Sequence, residues 1–120
     1  MRREQRLRAS DDFSRVRREG RSWALPVLVL YAAPRGSDDE PTRVGVSAGR
    51  RVGGAVVRNK ARRRVKEAVR VAYADIATGW DLVFIVRPRA AEADYGEIAA
   101  AVQTLLGRAG ALVSSSRCNA

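Results

Sequence analysis

The chain has 120 residues, the length of one domain, and 46% of them are hydrophobic, which suffices for one core. Lysine and arginine number 23 against 13 acidic residues, so the net charge is +10 and a polyanion is the expected partner. The sequence has no histidine and only one cysteine, Cys118, which excludes imidazole catalysis, histidine-ligated zinc and an intrachain disulfide.

The first part of the chain predicts one helix and two strands. Residues 10–20 are typical of a short helix, because acidic residues occupy its first turn and Gly20 follows as its stop. Residues 24–31 (ALPVLVLY) have the apolar composition of a strand, and Pro26 indicates that it starts at an edge or near a bulge. We expect residues 42–48 (TRVGVSA) to pair back on that strand as a hairpin.

Residues 50–70 carry most of the excess charge, with nine basic residues and one acidic residue. A short extended piece at 50–52 and a Gly53-Gly54 turn precede a long helix that begins near Ala55. Its apolar residues recur at helical spacing and predict one buried stripe, formed by Val57, Ala61, Val65, Ala68, Val69 and Ala72. The opposite side is basic and consists of Arg58, Lys60, Arg62, Arg63, Lys66 and Arg70. We interpret this concentration of charge as a binding surface.

The basic side of the helix has the spacing of a phosphate-binding ladder. Arg58, Arg62 and Lys66 lie at i, i+4 and i+8, in steps of about 6 Å along one helix edge. Asn59 offers a donor and an acceptor to a base edge or a 2′-hydroxyl. Arginines outnumber lysines by 21 to 2, which suits phosphate recognition. A GC-rich genome explains that bias equally well, but it does not explain the clustering.

The remaining residues complete one domain, 1–120. Residues 81–86 (DLVFIV) predict an apolar strand, and Asp94 predicts the N-cap of a last helix with Glu97 as its capping-box partner. Residues 110–120 are expected to be a flexible tail. The predicted order is αβββαβα, an α+β sandwich.

Residues 43–70, RVGVSAGRRVGGAVVRNKARRRVKEAVR, resemble the signature of the bacterial ribonuclease P protein component. The resemblance rests on a basic pair, a glycine, Ala-Val, Arg-Asn and an arginine-rich helix, and it extends over most of the chain. Two positions differ from the usual family pattern. Arg17 stands where members often have an aromatic residue, and Gly54 stands where asparagine usually precedes Ala-Val.

The resemblance implies a ribozyme cofactor with a four-stranded mixed sheet and a left-handed βαβ crossover. The RNA subunit would cleave precursor tRNA at the 5′ end of the mature molecule, using Mg²⁺ that the RNA holds. The resemblance assigns contacts with the RNA subunit to Arg50, Arg51, Arg58, Asn59, Lys60, Arg62, Arg63 and Lys66. It places the single-stranded 5′ leader in a cleft lined by Phe13, Val16, Arg17 and Tyr31. We expect no catalytic residue and no metal site in the protein.

Three alternatives remain open at this stage. Phe13, Val16 and Tyr31 are also typical of core residues. A ribosomal or other structural RNA-binding protein would share the charge and the fold class. A helix-turn-helix DNA-binding protein is disfavoured, because the basic helix lacks a preceding partner helix. Residues 1–13 are basic but lack an apolar run, so they do not fit a signal peptide, and no stretch of the chain approaches the length of a membrane span. We therefore expect a cytoplasmic protein without a membrane partner. We also predict no obligate protein partner.

Overall fold

The computed structural model describes residues 5–7, 10–37 and 39–113. Within these ranges, three α-helices and four strands follow the predicted order αβββαβα. Their bounds are α1 Ser10–Glu19, β1 Arg21–Ala24, β2 Leu28–Pro34, β3 Arg43–Ala48, α2 Ala55–Ala72, β4 Trp80–Val86 and α3 Tyr95–Ala109. No described helix combines the length and the hydrophobicity of a membrane span.

The sheet is mixed, and its strand order is β1-β2-β4-β3. Strand β2 is antiparallel to β1 and to β4, whereas β3 is parallel to β4. The expected hairpin between residues 42–48 and the preceding strand is therefore wrong, because β4 lies between β2 and β3. Strand β4 is the most continuously apolar segment, and a central position buries both of its faces. The handedness of the β3–α2–β4 crossover stays a prediction.

Two of the predicted strands also differ from those observed. Residues 24–31 do not form one strand, because the chain turns at 25–27 and β1 pairs back on β2 with Trp23 opposite Leu30. Pro26 thus lies in a turn between two strands. Residues 50–52 form a 3₁₀ turn in which the Val52 amide donates to the Gly49 carbonyl at 3.1 Å. The predicted order αβββαβα is nevertheless right, because these two differences cancel in the number of strands. One predicted strand is two strands in the structure, and the predicted extended piece at 50–52 is a turn.

Hydrophobic residues pack on both faces of the sheet. On one face, Leu30 and Phe84 pack with buried residues of α2 and α3, including Val65 and Leu105. On the other face, Val16 of α1 packs with Leu7, Ala33 and Val83. This second cluster is smaller. Val29 and Ile85 remain partly exposed on the sheet beside α1.

The end of α1 lies unusually close to the sheet. A Cβ atom at Gly20 would lie 2.6 Å from the carbonyl oxygens of both Val16 and Ala32. The helix does end before Gly20, as expected, but the φ angle of this glycine is not positive. Glycine is required here because two backbone segments meet. The side chain of Ser10, the first residue of α1, lies outside the described part of the chain.

The last helix begins as predicted, and the chain that follows it bonds back to the segment after α2. Asp94 accepts a hydrogen bond from the Glu97 amide at 2.8 Å, and Gly110 ends α3 with φ 74°. Beyond it, the Ala77 amide donates to the Ala111 carbonyl at 2.7 Å, and the Val113 amide donates to the Asp75 carbonyl at 2.7 Å. The flexibility of the tail from residue 110 stays a prediction, and residues 114–120 lie outside the described ranges.

Candidate nucleic-acid interface

Helix α2 separates a buried apolar stripe from an exposed basic side. Residues Ala61, Val65, Ala68, Val69 and Ala72 are buried, as the periodicity predicts. Val57 differs, since 39% of its surface remains exposed. Its side chain lies against Gly53, whose φ of 148° favours glycine and where a Cβ would come within 2.9 Å of Val57 Cγ1. Val57 therefore packs against the turn that precedes α2.

The predicted ladder residues occupy the outer side of α2. Arg58 and Arg62 are half-buried, whereas Asn59, Lys60, Arg63 and Lys66 are exposed. The Arg62 guanidinium donates to Asn59 Oδ1. The Nε atom of Arg58 is buried and has no hydrogen-bond partner in the described part of the chain.

Three arginines outside α2 surround a buried carboxylate. Asp81, at the start of β4, is fully buried. Arg43 donates to it twice, at 2.9 and 2.8 Å, and Arg15 of α1 donates to the same carboxylate. Arg35 lies 3.8 Å from Asp81 Oδ1. The hydrogen bond to Asp81 raises the pKa of Arg43 above its usual range. We call these four side chains the Asp81 cluster.

Two basic residues of α2 also have partners within the protein. Arg64 donates to the Ala93 carbonyl at 2.8 Å and thereby joins α2 to the segment before α3. Arg70 pairs with Glu67 on the exposed surface, at 3.0 and 2.5 Å. This pairing lowers the pKa of Glu67 and raises that of Arg70. The pair reduces the positive charge at the C-terminal end of the basic side.

Two grooves flank this basic region. The first, of about 590 Å³, lies between α2 and the β3 edge, and we call it the α2–β3 groove. Phe13 and Gly45 line it on one side, and Arg63, Lys66 and Arg70 line it on the other. A Cβ at Gly45 would lie 2.4 Å from Phe13 Cζ, so the Phe13 ring lies directly on this glycine.

The second groove is also about 590 Å³ and lies over the open part of the sheet. Its floor includes Val29 and Ile85, and four arginines surround it, so we call it the arginine groove; the four are Arg17, Arg50, Arg51 and Arg87. The guanidinium carbon of Arg17 lies 5.5 Å from the centre of the Tyr31 ring. An apolar floor inside a cationic rim suits an unpaired nucleotide, because bases bind apolar surfaces and phosphates bind arginine.

The four residues assigned to a leader cleft do not share one wall. Phe13 lines the α2–β3 groove, Arg17 lines the arginine groove, and Tyr31 lies half-buried beneath Arg17. Val16 has no exposed surface and is wrong as a lining residue, because it points from α1 into the sheet. Phe13 and Arg17 are one turn apart on α1, so both grooves open along the same helix edge.

The lining of the arginine groove differs from the predicted leader cleft. Arg50 and Arg51, which the resemblance assigns to contacts with the RNA subunit, line this groove together with Arg17. Arg87, Val29 and Ile85 were not among the predicted site residues. Alternation along β2 could have placed Val29 on the same face as Tyr31, whereas nothing in the local sequence places Arg87 near Arg17.

The chain matches a family model described as Ribonuclease P over residues 1–110. It is 50% identical over 111 residues to the ribonuclease P protein component of Roseiflexus castenholzii, covering 92% of this chain and 89% of that one. It is 36% identical over 110 residues to the component of Clostridium novyi, covering 92% and 97%.

Solved structures show the same similarity. The ribonuclease P protein of Staphylococcus aureus superposes with a TM-score of 0.80 at 27% identity, covering 90% of this chain and 97% of that one. The protein of Thermotoga maritima superposes with a TM-score of 0.76 at 32% identity, covering 86% and 96%.

The fold and the basic surface define the protein subunit of a ribonucleoprotein. The chain belongs to the ribonuclease P protein family. It is a subunit of the endoribonuclease ribonuclease P, which acts in tRNA processing, and membership implies association with ribonuclease P RNA.

Proposed function

We propose that α2 binds the catalytic RNA subunit of ribonuclease P while the two grooves bind the 5′ leader of precursor tRNA. The protein thereby promotes endonucleolytic removal of the leader in the cytoplasm. The observation that carries this proposal is the separation of two basic surfaces with different character. The outer side of α2 is convex and mainly basic, whereas the arginine groove is concave and has an apolar floor.

The outer side of α2 suits a folded RNA. Arg58, Arg62 and Lys66 follow one edge of the helix at steps of about 6 Å, so successive side chains can bind successive phosphates. Among the described residues, no ion pair joins these three side chains to a carboxylate, and Glu67 on the same helix is paired with Arg70. Binding would release counterions from the RNA and would therefore weaken as salt increases.

The arginine groove suits a single strand. Val29 and Ile85 offer an apolar surface to a base, and the surrounding arginines offer donors to phosphates. Phe13 and Arg17 lie along one edge of α1, about 6 Å apart along the helix. A strand that follows this edge would contact both grooves, which accounts for the different positions of the proposed leader-binding residues.

We propose that Mg²⁺ supports catalysis from sites in the RNA subunit. The acidic residues near the basic surfaces do not fit a tight Mg²⁺ site in this chain, because arginine already engages Asp81 and Glu67. The protein would act by lowering the electrostatic repulsion between two RNA molecules. It would therefore lower the Mg²⁺ concentration that cleavage requires.

Reconstitution tests the proposal. Purified chain, ribonuclease P RNA and precursor tRNA are combined at limiting Mg²⁺, and cleavage is measured with and without the chain. Leader-bearing and leaderless substrates are compared for binding. We expect the chain to restore cleavage and to favour the leader-bearing substrate. Tight binding to the RNA subunit without restored cleavage would instead support the alternative of a structural RNA-binding protein.

A further inference from the structure

Two sides of helix α1 meet different parts of the molecule. Asp12 and Arg15, three positions apart, face the N-terminal ends of β3 and β4. There, Arg15 binds Asp81, and Asp12 lies 3.8 Å from Arg43. Phe13 and Arg17, four positions apart, face the grooves. At about 100° per residue, Val16 lies between these two sides and points into the sheet.

The Asp81 cluster is the polar attachment of α1 to the sheet. Val16 provides an apolar contact that resists lifting of the helix but has no directional preference for rotation about the helix axis. The carboxylate of Asp81 is directional, because Arg43 binds both of its oxygens from β3 and thereby fixes its orientation. Arg15 reaches that fixed carboxylate from α1.

We propose that Asp81 is a positioning residue for the leader: through Arg15, its buried carboxylate sets the rotation of α1 and thereby holds Phe13 and Arg17 over the two grooves. This inference rests on the proposed leader-binding function. Asp81 itself is fully buried and does not touch RNA. Its influence on binding would pass through the orientation of α1 alone.

The test uses the reconstituted holoenzyme and the ratio of its affinities for leader-bearing and leaderless precursor tRNA. For the D81N variant, we expect this ratio to fall about tenfold, the usual size of coupling between separate sites. We expect the affinity for the RNA subunit to change less than about twofold, because no hydrogen bond or ion pair among the described residues joins the cluster to α2. The ratio also removes any general gain in RNA affinity that follows from deleting a negative charge.

Arg15→Gln and Arg35→Gln form a matched pair. Both arginines face the same carboxylate, but only Arg15 lies on α1, whereas Arg35 follows β2 and lies 3.8 Å away. We expect R15Q to reproduce the fall in the ratio and R35Q to retain the wild-type ratio. If D81N fails to fold, this pair decides the question, because R15Q leaves the Asp81–Arg43 bonds in place.

Three outcomes would overturn the inference. The first is an unchanged ratio in a folded D81N or R15Q protein. The second is an equal loss in R15Q and R35Q, or a parallel loss of RNA-subunit affinity, which would indicate general destabilisation. The third is a higher ratio in D81N, which would show that a released Arg15 binds the leader directly. A wild-type protein without leader preference would instead refute the proposed function.

Discussion

The guanidinium group of Arg17 lies over the ring of Tyr31, with 5.5 Å between the guanidinium carbon and the ring centre. The ring attracts the cation and limits its motion, while the N–H groups at the guanidinium edge remain available. Arg17 also lines the arginine groove. A charge held in this way is prepared for a phosphate, because little side-chain entropy remains to be lost on binding.

Replacement of Arg17 by methionine tests this interpretation. The change removes the charge and keeps most of the side-chain length. We expect weaker binding of leader-bearing precursor tRNA and a salt dependence shallower by about one unit of slope, because one phosphate contact is lost. Leaderless tRNA should bind as before. The measurement is a binding titration at several salt concentrations.

Arg21 provides the control for Arg17. It is exposed on β1 and lies 5.6 Å from the centre of the Trp23 ring, but it is not among the residues that line the two grooves. Arg21→Met removes the same charge and the same kind of ring contact. An identical effect of both substitutions on leader binding would contradict a specific role for Arg17.

Arg58→Ala and Arg62→Ala test the ladder on α2. Each substitution should weaken binding to the RNA subunit and reduce the salt slope by about one unit. Arg108→Ala, in the exposed last turn of α3, is the control for loss of charge alone. Direct binding of labelled ribonuclease P RNA measures both quantities. Slopes that stay unchanged in both ladder variants would mean that these side chains do not contact phosphates.

Glu67→Gln is expected to strengthen the binding of leader-bearing precursor tRNA. The substitution removes the acidic partner of Arg70 and leaves that guanidinium free beside Lys66 in the α2–β3 groove. One additional phosphate contact would steepen the salt slope by about one unit. The double variant Glu67→Gln/Arg70→Gln should return the slope to its original value. A weaker affinity in Glu67→Gln would show that RNA recognises the carboxylate itself.

Two glycines should respond oppositely to a side chain. At Gly20 a Cβ would meet backbone carbonyl oxygens at 2.6 Å, so Gly20→Ala should lower the free energy of unfolding by about 1–3 kcal/mol. At Gly54, the N-cap of α2, the backbone is extended and no atom lies within 4 Å of a Cβ. Gly54→Ser should raise stability by about 0.5 kcal/mol, because serine caps the helix and restricts the unfolded chain.

Urea unfolding, monitored by circular dichroism, measures both changes. Equal stability of Gly20→Ala and the wild type would show that α1 can move away from β2 without cost. A loss of stability in Gly54→Ser would indicate that α2 begins differently from the helix described above.

Local patterns predicted the helices well because helix periodicity and capping act over a few residues. Residues 55–72, for example, are nearly complete as a sequence pattern. Strand partners were harder to predict, because β4 lies between β2 and β3 in the sheet but far from both in the sequence. It begins at Trp80, more than thirty residues after the end of either strand. The turn at 25–27 was missed because the residues on both sides of Pro26 are apolar and resemble one continuous strand.

The candidate site shows the same division. The ladder on α2 could be predicted, since one helix supplies Arg58, Arg62 and Lys66. The arginine groove could not, because Arg17, Arg51 and Arg87 come from three distant segments. The sequence also does not distinguish one arginine from another, whereas in the structure Arg15 and Arg43 bind Asp81.

The composition of the groove rim has a consequence for how the protein responds to acidity. All four rim residues of the arginine groove are arginines, and the chain has no histidine, the side chain that most often acts as a switch near neutral pH. The occupancy of this groove would therefore follow ionic strength rather than acidity.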